Sequence, residues 1–185
     1  MIQTLIIAIF VSLWLILPEN TFAQTSNNVQ QKTQELVASL SKTKYKHKVK
    51  GNFELEKYIS IKSEAVIKNN VKEYSGNYES DDSSYRIELN IAGGRIEGSG
   101  YDTEFEGSKK ENFSLKDSKI EGALLTATKT YENGKTEKFE AVFINRTIVE
   151  GANPNKIEYR AANFGLGFVS TNGTYTQRVF CQYKP

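Results

Sequence analysis

The 185 residues carry 24 basic and 22 acidic side chains, one histidine and one cysteine, for a formal charge of +2. A lone cysteine excludes internal disulfides, and one histidine with one distant cysteine excludes zinc sites of common spacing. The small net charge hides an asymmetry: Lys42, Lys44, Lys46, Lys48 and Lys50 gather around His47, and the rest of the chain is slightly acidic.

Leu5 through Leu17 is apolar apart from Ser12. As a helix those residues rise about 20 Å, short of a hydrocarbon core of about 30 Å, so no lasting membrane span is expected. Thr21-Phe22-Ala23 puts small residues at the minus-three and minus-one positions of a signal-peptidase site. The expected organisation is a signal peptide over 1–23, a helical segment over 24–43 and an antiparallel β domain over 44–185. Export to a secreted, periplasmic or extracellular location follows. No Lys or Arg precedes the apolar run, so a retained N-terminal anchor is the alternative.

Between Thr25 and Ser41, Val29, Leu36, Val37 and Leu40 recur at helical spacing with Ser26 or Asn27 as a cap. Beyond Lys44 the period changes to two, β-branched and aromatic residues dominate, and Gly or Asn interrupts about every ten residues. The fold class is therefore all-β: an antiparallel meander of about eight to ten strands, barrel-like or strongly curved, with one short N-terminal helix.

Turns follow in order. Asp81-Asp82-Ser83-Ser84 and Asp117-Ser118 have the side chains that reverse a backbone through local hydrogen bonds. Gly93-Gly94 joins Tyr85 to Ile91 with Arg95 to Tyr101. Asn133-Gly134 suits a type I′ turn between Lys119 to Tyr131 and Lys135 to Ile144, and Asn172-Gly173 a similar one between Gly167 to Ser170 and Thr174 to Tyr183. The apolar phase slips by an odd step between Ile120 and Leu125, which predicts a bulge at Gly122.

Four segments read apolar-Glu-Gly: Ile96 to Gly98, Phe105 to Gly107, Ile120 to Gly122 and Val149 to Gly151. They are read as solvent-facing glutamates beside glycines that let strands bend, rather than as a metal or acid-base cluster. Clean alternation from Tyr85 to Ile91 predicts one buried face. Phe139 to Ile144 is apolar on both phases, so the helix or an N-terminal segment should cover part of the sheet's outside. Gly165-Leu166-Gly167 is read as a close backbone approach and Cys181 as a small buried hydrophobe.

Gly76-Asn77-Tyr78, early in the meander, and Arg178, in the last strand, resemble a lipocalin-type closure. There a glycine and an aromatic open an early strand and a basic residue of the last strand packs over the aromatic. Here Tyr78 stands where Trp is usual. The resemblance covers these two spots and implies a barrel closed by pairing its first and last strands.

No catalytic residue, cofactor or metal ligand is assigned. His47 lies among lysines without a neighbouring carboxylate in sequence, and no P-loop or dinucleotide fingerprint occurs. The C-terminal aromatics Tyr159, Phe164, Phe168 and Tyr175, with Arg178 as a polar anchor, are the candidate lining of a site for a small apolar or amphipathic ligand inside the barrel. Lys44, Lys46 and Lys48 are candidates for an anionic surface, with a protein or polyanion as partner; nucleic acid is disfavoured because arginine is scarce there. The first reading is thus a non-enzymatic exported binding protein. An envelope or extracellular interaction protein using the sheet face or the lysine patch is the alternative, and a carboxylate-only hydrolase the third.

Overall fold

The computed structural model describes residues 19–41, 58–103, 109–153, 155–172 and 175–185, with the side chains of 19–26, 153, 172 and 175 left out. Among the described residues one helix, α1 (Glu19–Leu40), precedes nine strands. These are β1 (Tyr58–Ala65), β2 (Gly76–Ser80), β3 (Tyr85–Ala92), β4 (Arg95–Asp102), β5 (Glu111–Glu121), β6 (Leu124–Tyr131), β7 (Thr136–Asn153), β8 (Lys156–Asn172) and β9 (Tyr175–Lys184). Every pairing is antiparallel.

Strands β2 to β9 run up and down in order, and β9 returns to β2, with Tyr78 opposite Tyr183 and Ser80 opposite Cys181. The meander is therefore a closed eight-stranded barrel. Gly76 permits the closure: it takes φ 144°, and a Cβ there would lie 2.4 Å from the Tyr183 ring. The ninth strand, β1, is extra. It continues along β7 where β6 leaves off, with Ala65 opposite Ile144 and Leu124 opposite Val142. The distal parts of β7 and β8 project beyond the barrel with β1 as a three-stranded tongue.

Alternation holds on β3, where Tyr85, Ile87, Leu89 and Ile91 are buried and their neighbours exposed. On β7 both phases are buried, as expected for a strand covered on two sides. Phe139, Ala141 and Phe143 enter the barrel core, whereas Val142 and Ile144 face outward and pack with Leu36, Val37 and Leu40 of α1. Gly165 and Gly167 are the outward partners on β8. A Cβ on Gly167 would meet Leu40 at 2.6 Å, and one on Gly165 would meet the Cys181 carbonyl at 2.3 Å, so the pair admits the helix and the neighbouring strand. Lys32 of α1 reaches Glu140 on β7 at 2.5 Å, and Lys138 reaches the same oxygen at 2.5 Å.

Two local readings exchange places. Gly122, expected to carry a bulge, adopts φ 61° and with Ala123 forms the tight reversal between β5 and β6. The bulge lies instead at Asp117-Ser118, expected as a turn, where the register jumps between Lys116 and Lys119 and Asp117 takes φ 52°. Aspartate tolerates the left-handed region well enough to supply an extra strand residue without ending the strand. The Asn133-Gly134 connection is not type I′ either. Gly134 accounts for the positive φ there, at 85°, and its N–H donates to Tyr131 O at 3.0 Å, while the Tyr131 N–H donates to Lys135 O at 2.9 Å. That is a three-residue loop, a type I turn closed by a left-handed glycine.

The other hairpins hold their expected character. Gly93 and Gly94 take φ 58° and 79° between Ala92 and Arg95. Asp82 Oδ1 accepts from Ser80, from Ser84 N–H and from the Ser84 hydroxyl. Partial burial pushes the Asp82 carboxyl up, but those hydrogen bonds outweigh it and hold the group below its ordinary range. Asn172 pairs with Tyr175, which shifts the last reversal by one residue onto 173 and 174, outside the described residues. The Phe105-Glu106-Gly107 segment lies outside them as well. Helix α1 is already formed at Glu19, six residues before the expected Thr25, and no breaker separates Glu19 from Leu40.

Partial burial raises the Glu140 carboxyl, but Lys138 and Lys32 outweigh it and hold the group below its ordinary value of 4.5. A depressed folded-state value means that the stabilisation is fully present above about 4.5 and is lost as pH falls through the lower folded value. Replacing Glu140→Gln should destabilise the protein by about 0.5–1 kcal/mol at neutral pH. Urea midpoints of the two proteins should converge as pH falls through the lowered folded value of Glu140; a pH-independent difference would contradict the Lys32–Glu140–Lys138 bridge as its source.

Candidate functional site

The barrel interior is filled. Tyr74, at the end of the 3₁₀ turn Val71–Tyr74, stacks on Phe143 at 3.9 Å, and its hydroxyl reaches Val66 O at 2.9 Å and Gly122 O at 3.1 Å, closing one end. Tyr78, Ile87, Leu89, Leu125, Leu166 and Phe168 occupy the middle. Cys181 joins them, and burial pushes its thiol up to about 12, so it is the inert hydrophobe the sequence suggests.

At the other end sits a charge no apolar core needs. Lys129, on the inward phase of β6 with Leu125, Ala127 and Tyr131, is 3% exposed. Its Nζ lies 2.8 Å from Asp102 Oδ2 and 3.6 Å from Glu137 Oε1. Aromatic rings surround it: the centroids of Phe113, Phe139 and Phe168 stand at 4.5, 5.1 and 5.7 Å. The Tyr131 hydroxyl lies 2.9 Å from Asp102 Oδ2 and 2.7 Å from Glu137 Oε1. A phenol has one hydrogen for two carboxylates, so Lys129 supplies the second donor that keeps the group together. Burial raises the Tyr131 hydroxyl, and the hydrogen bond to Glu137 and the Asp102 charge push it further up. Above this network opens a polar cleft of about 60 Å³ bordered by Tyr85, Asp102, Glu111, Tyr131, Glu137 and Gln177. Sequence reading passed over Lys129, although in Leu124–Tyr131 it shares a period-two phase with Leu125 and Ala127 while Leu124 and three threonines fill the other.

A larger groove lies outside the barrel, where the C-terminal end of α1 meets β1, β7 and β9. It holds about 260 Å³; Leu40, Ile61, Ile144 and Phe180 form the apolar part of its lining, with Arg146 and Arg178 along it. The Arg146 guanidinium stands 4.9 Å from the Phe180 centroid, and Arg178 Nε donates to the Ser39 carbonyl at 2.5 Å, which fixes it against the helix end. A shallower depression of about 200 Å³ shares both arginines and extends to Asp81 and Asp82.

The sequence-designated residues do not converge on one interior pocket. Phe168 is core, with its ring 5.4 Å from Tyr85 and 5.2 Å from Phe139. Phe164 is half-buried near the plugged end, 6.4 Å from both Tyr78 and Phe143. Tyr159 stands exposed on the tongue. The side chain of Tyr175 and residues Lys44, Lys46 and Lys48 lie outside what is described. Arg178 is on the outer face because it neighbours inward Val179 on a strand of period two, so it anchors the outer groove, not the interior. Nor does it pack over Tyr78: Tyr183, opposite Tyr78 and 5.5 Å away ring to ring, takes that place in the closure.

Among the described residues no group of His, Cys, Asp or Glu is arranged to hold a metal, and no helix is long and apolar enough to cross a membrane. No family model, curated protein or solved structure matches this chain.

Removing one member of a buried ion pair leaves the other uncompensated, which costs about 3–5 kcal/mol. Lys129→Met should therefore destabilise the barrel by that amount in urea denaturation, and Lys129→Met with Asp102→Asn should recover part of the loss. A double variant as unstable as the sum of the singles would show that Lys129 and Asp102 are not coupled.

Proposed function

We propose that the protein is an exported, non-enzymatic binder of a small amphipathic anion, held in the outer groove rather than inside the barrel. The observation that carries this reading is the pair Arg146 and Arg178 along a groove with an apolar wall of Leu40, Ile61, Ile144 and Phe180. An acyl or aryl body buries against that wall, and a carboxylate or similar head takes charge-assisted hydrogen bonds from guanidinium groups. The filled interior supports the same placement, since Tyr74, Phe143 and Phe168 occupy the space a ligand would need. Export rests on the apolar run Leu5 to Leu17 and the Thr21-Phe22-Ala23 site. Cleavage after Ala23 removes the first turn of α1 and keeps Leu36, Val37 and Leu40, which dock it.

Titration of the mature protein with a fluorescent fatty acid should show saturable binding that an unlabelled fatty acid displaces and the matching fatty alcohol does not. Arg178→Gln should weaken binding about tenfold to a hundredfold, the effect of losing one hydrogen bond to a charged group. No saturable binding, or binding indifferent to Arg178 and to the head group, would overturn the assignment.

A further inference from the structure

The outer groove does not end at its arginines. The depression that shares Arg146, Arg178 and Phe180 with it runs on to Asp81 and Asp82, in the reversal between β2 and β3, and holds about 200 Å³. Three kinds of chemistry therefore follow one another along this face. Leu40, Ile61 and Ile144 border only the first part, the two guanidinium groups border both parts, and the two aspartates border only the second.

The charges of the second part do not satisfy one another. Among the described residues no ion pair joins Asp81 or Asp82 to any cation, although both share the depression with two arginines. Asp82 is held in place by the three hydrogen bonds that Ser80 and Ser84 donate to its Oδ1, and Asp81 is exposed beside it. Arg178 commits its Nε to the Ser39 carbonyl, and no acceptor among the described residues takes its terminal amino groups. A simple anion seated on the guanidinium groups has two carboxylates nearby that repel it. A head group with a cation beyond its anion turns that repulsion into attraction.

We infer that the groove takes an amphiphile with a zwitterionic head. Its apolar chain lies against Leu40 and Ile61, its anion on Arg146 and Arg178, and its ammonium on the side of Asp81 and Asp82. This names the ligand class of the groove proposed above and rests on that reading; a fatty acid supplies only the first two groups. The cation is a primary ammonium, because carboxylates recognise it through N–H hydrogen bonds, whereas a quaternary ammonium calls for open aromatic faces. Phe180, the aromatic ring bordering the depression, already lies against the Arg146 guanidinium.

Displacement of a fluorescent fatty acid from the mature protein by two competitors tests this, each used below its micelle concentration. One is dodecyl phosphoethanolamine; the other is its N-acetyl derivative, which keeps the chain and the phosphodiester and loses the positive charge. The free amine should compete at about fivefold lower concentration, the worth of a partly exposed ion pair. Asp81→Lys should abolish or reverse that preference, and because the Asp81 side chain is exposed, circular dichroism should not change. Equal competition by the two compounds, or a preference that survives Asp81→Lys, would overturn the zwitterion and leave anion binding in the groove standing. A wild-type protein that binds neither the fatty acid nor either competitor would overturn both.

Discussion

The pairing of Asn77–Ser80 with Cys181–Lys184 is the contact on which the rest of the molecule depends. It joins the first and last strands of the meander, about a hundred residues apart, and so comes late among the contacts to form, since long loops cost most to close. Once made, it removes both edges of the sheet and fixes which side chains point inward. Gly76 lets the Tyr183 ring lie against the backbone there, and Tyr78 donates to the Tyr74 carbonyl at 2.6 Å. The plug at one end and the strand junction therefore share one aromatic cluster.

A closed barrel of eight strands has an interior about wide enough for its own side chains. Here aromatic and aliphatic side chains of the described residues pack into it, Tyr74, Tyr78, Phe143 and Phe168 among them. Two features break the apolar fill, and both sit at its margins. Lys129 brings a charge into a ring of aromatics, tolerable because Asp102, Glu137 and Tyr131 meet it with oxygen atoms. The second is the outside of β7, apolar because Val142 and Ile144 need the cover that α1 provides. The groove that carries Arg146 and Arg178 lies beside the end of that helix.

Much of the fold was legible from periodicity. Alternation at Tyr85 to Ile91, two-sided burial at Phe139 to Ile144 and the glycine pairs marked strands, cover and turns without reference to distant contacts. What failed was the choice between turn and bulge at Asp117 and Gly122. Both residues adopt left-handed backbone, and the choice depends on which partner strand runs alongside. The placement of Arg178 was hard to read for a related reason. On β9 both phases carry apolar groups, Val179 and Cys181 inside and Phe180 outside, so sequence alone left the face of Arg178 open; only the helix packing explains why Phe180 is outward. Lys129 was legible in phase but hidden by expectation, since a lysine inside a barrel is rare without the carboxylate that β4 delivers from 27 residues away.

The most direct test of closure is nuclear magnetic resonance of the backbone at the strand junction. Cross-strand contacts between the backbone protons of Tyr78 and Tyr183, and between those of Ser80 and Cys181, with slow amide exchange along both strands, are the predicted result. Protected hairpins from β3 to β8 together with fast exchange and no contact between β2 and β9 would mean an open sheet, and would contradict the account.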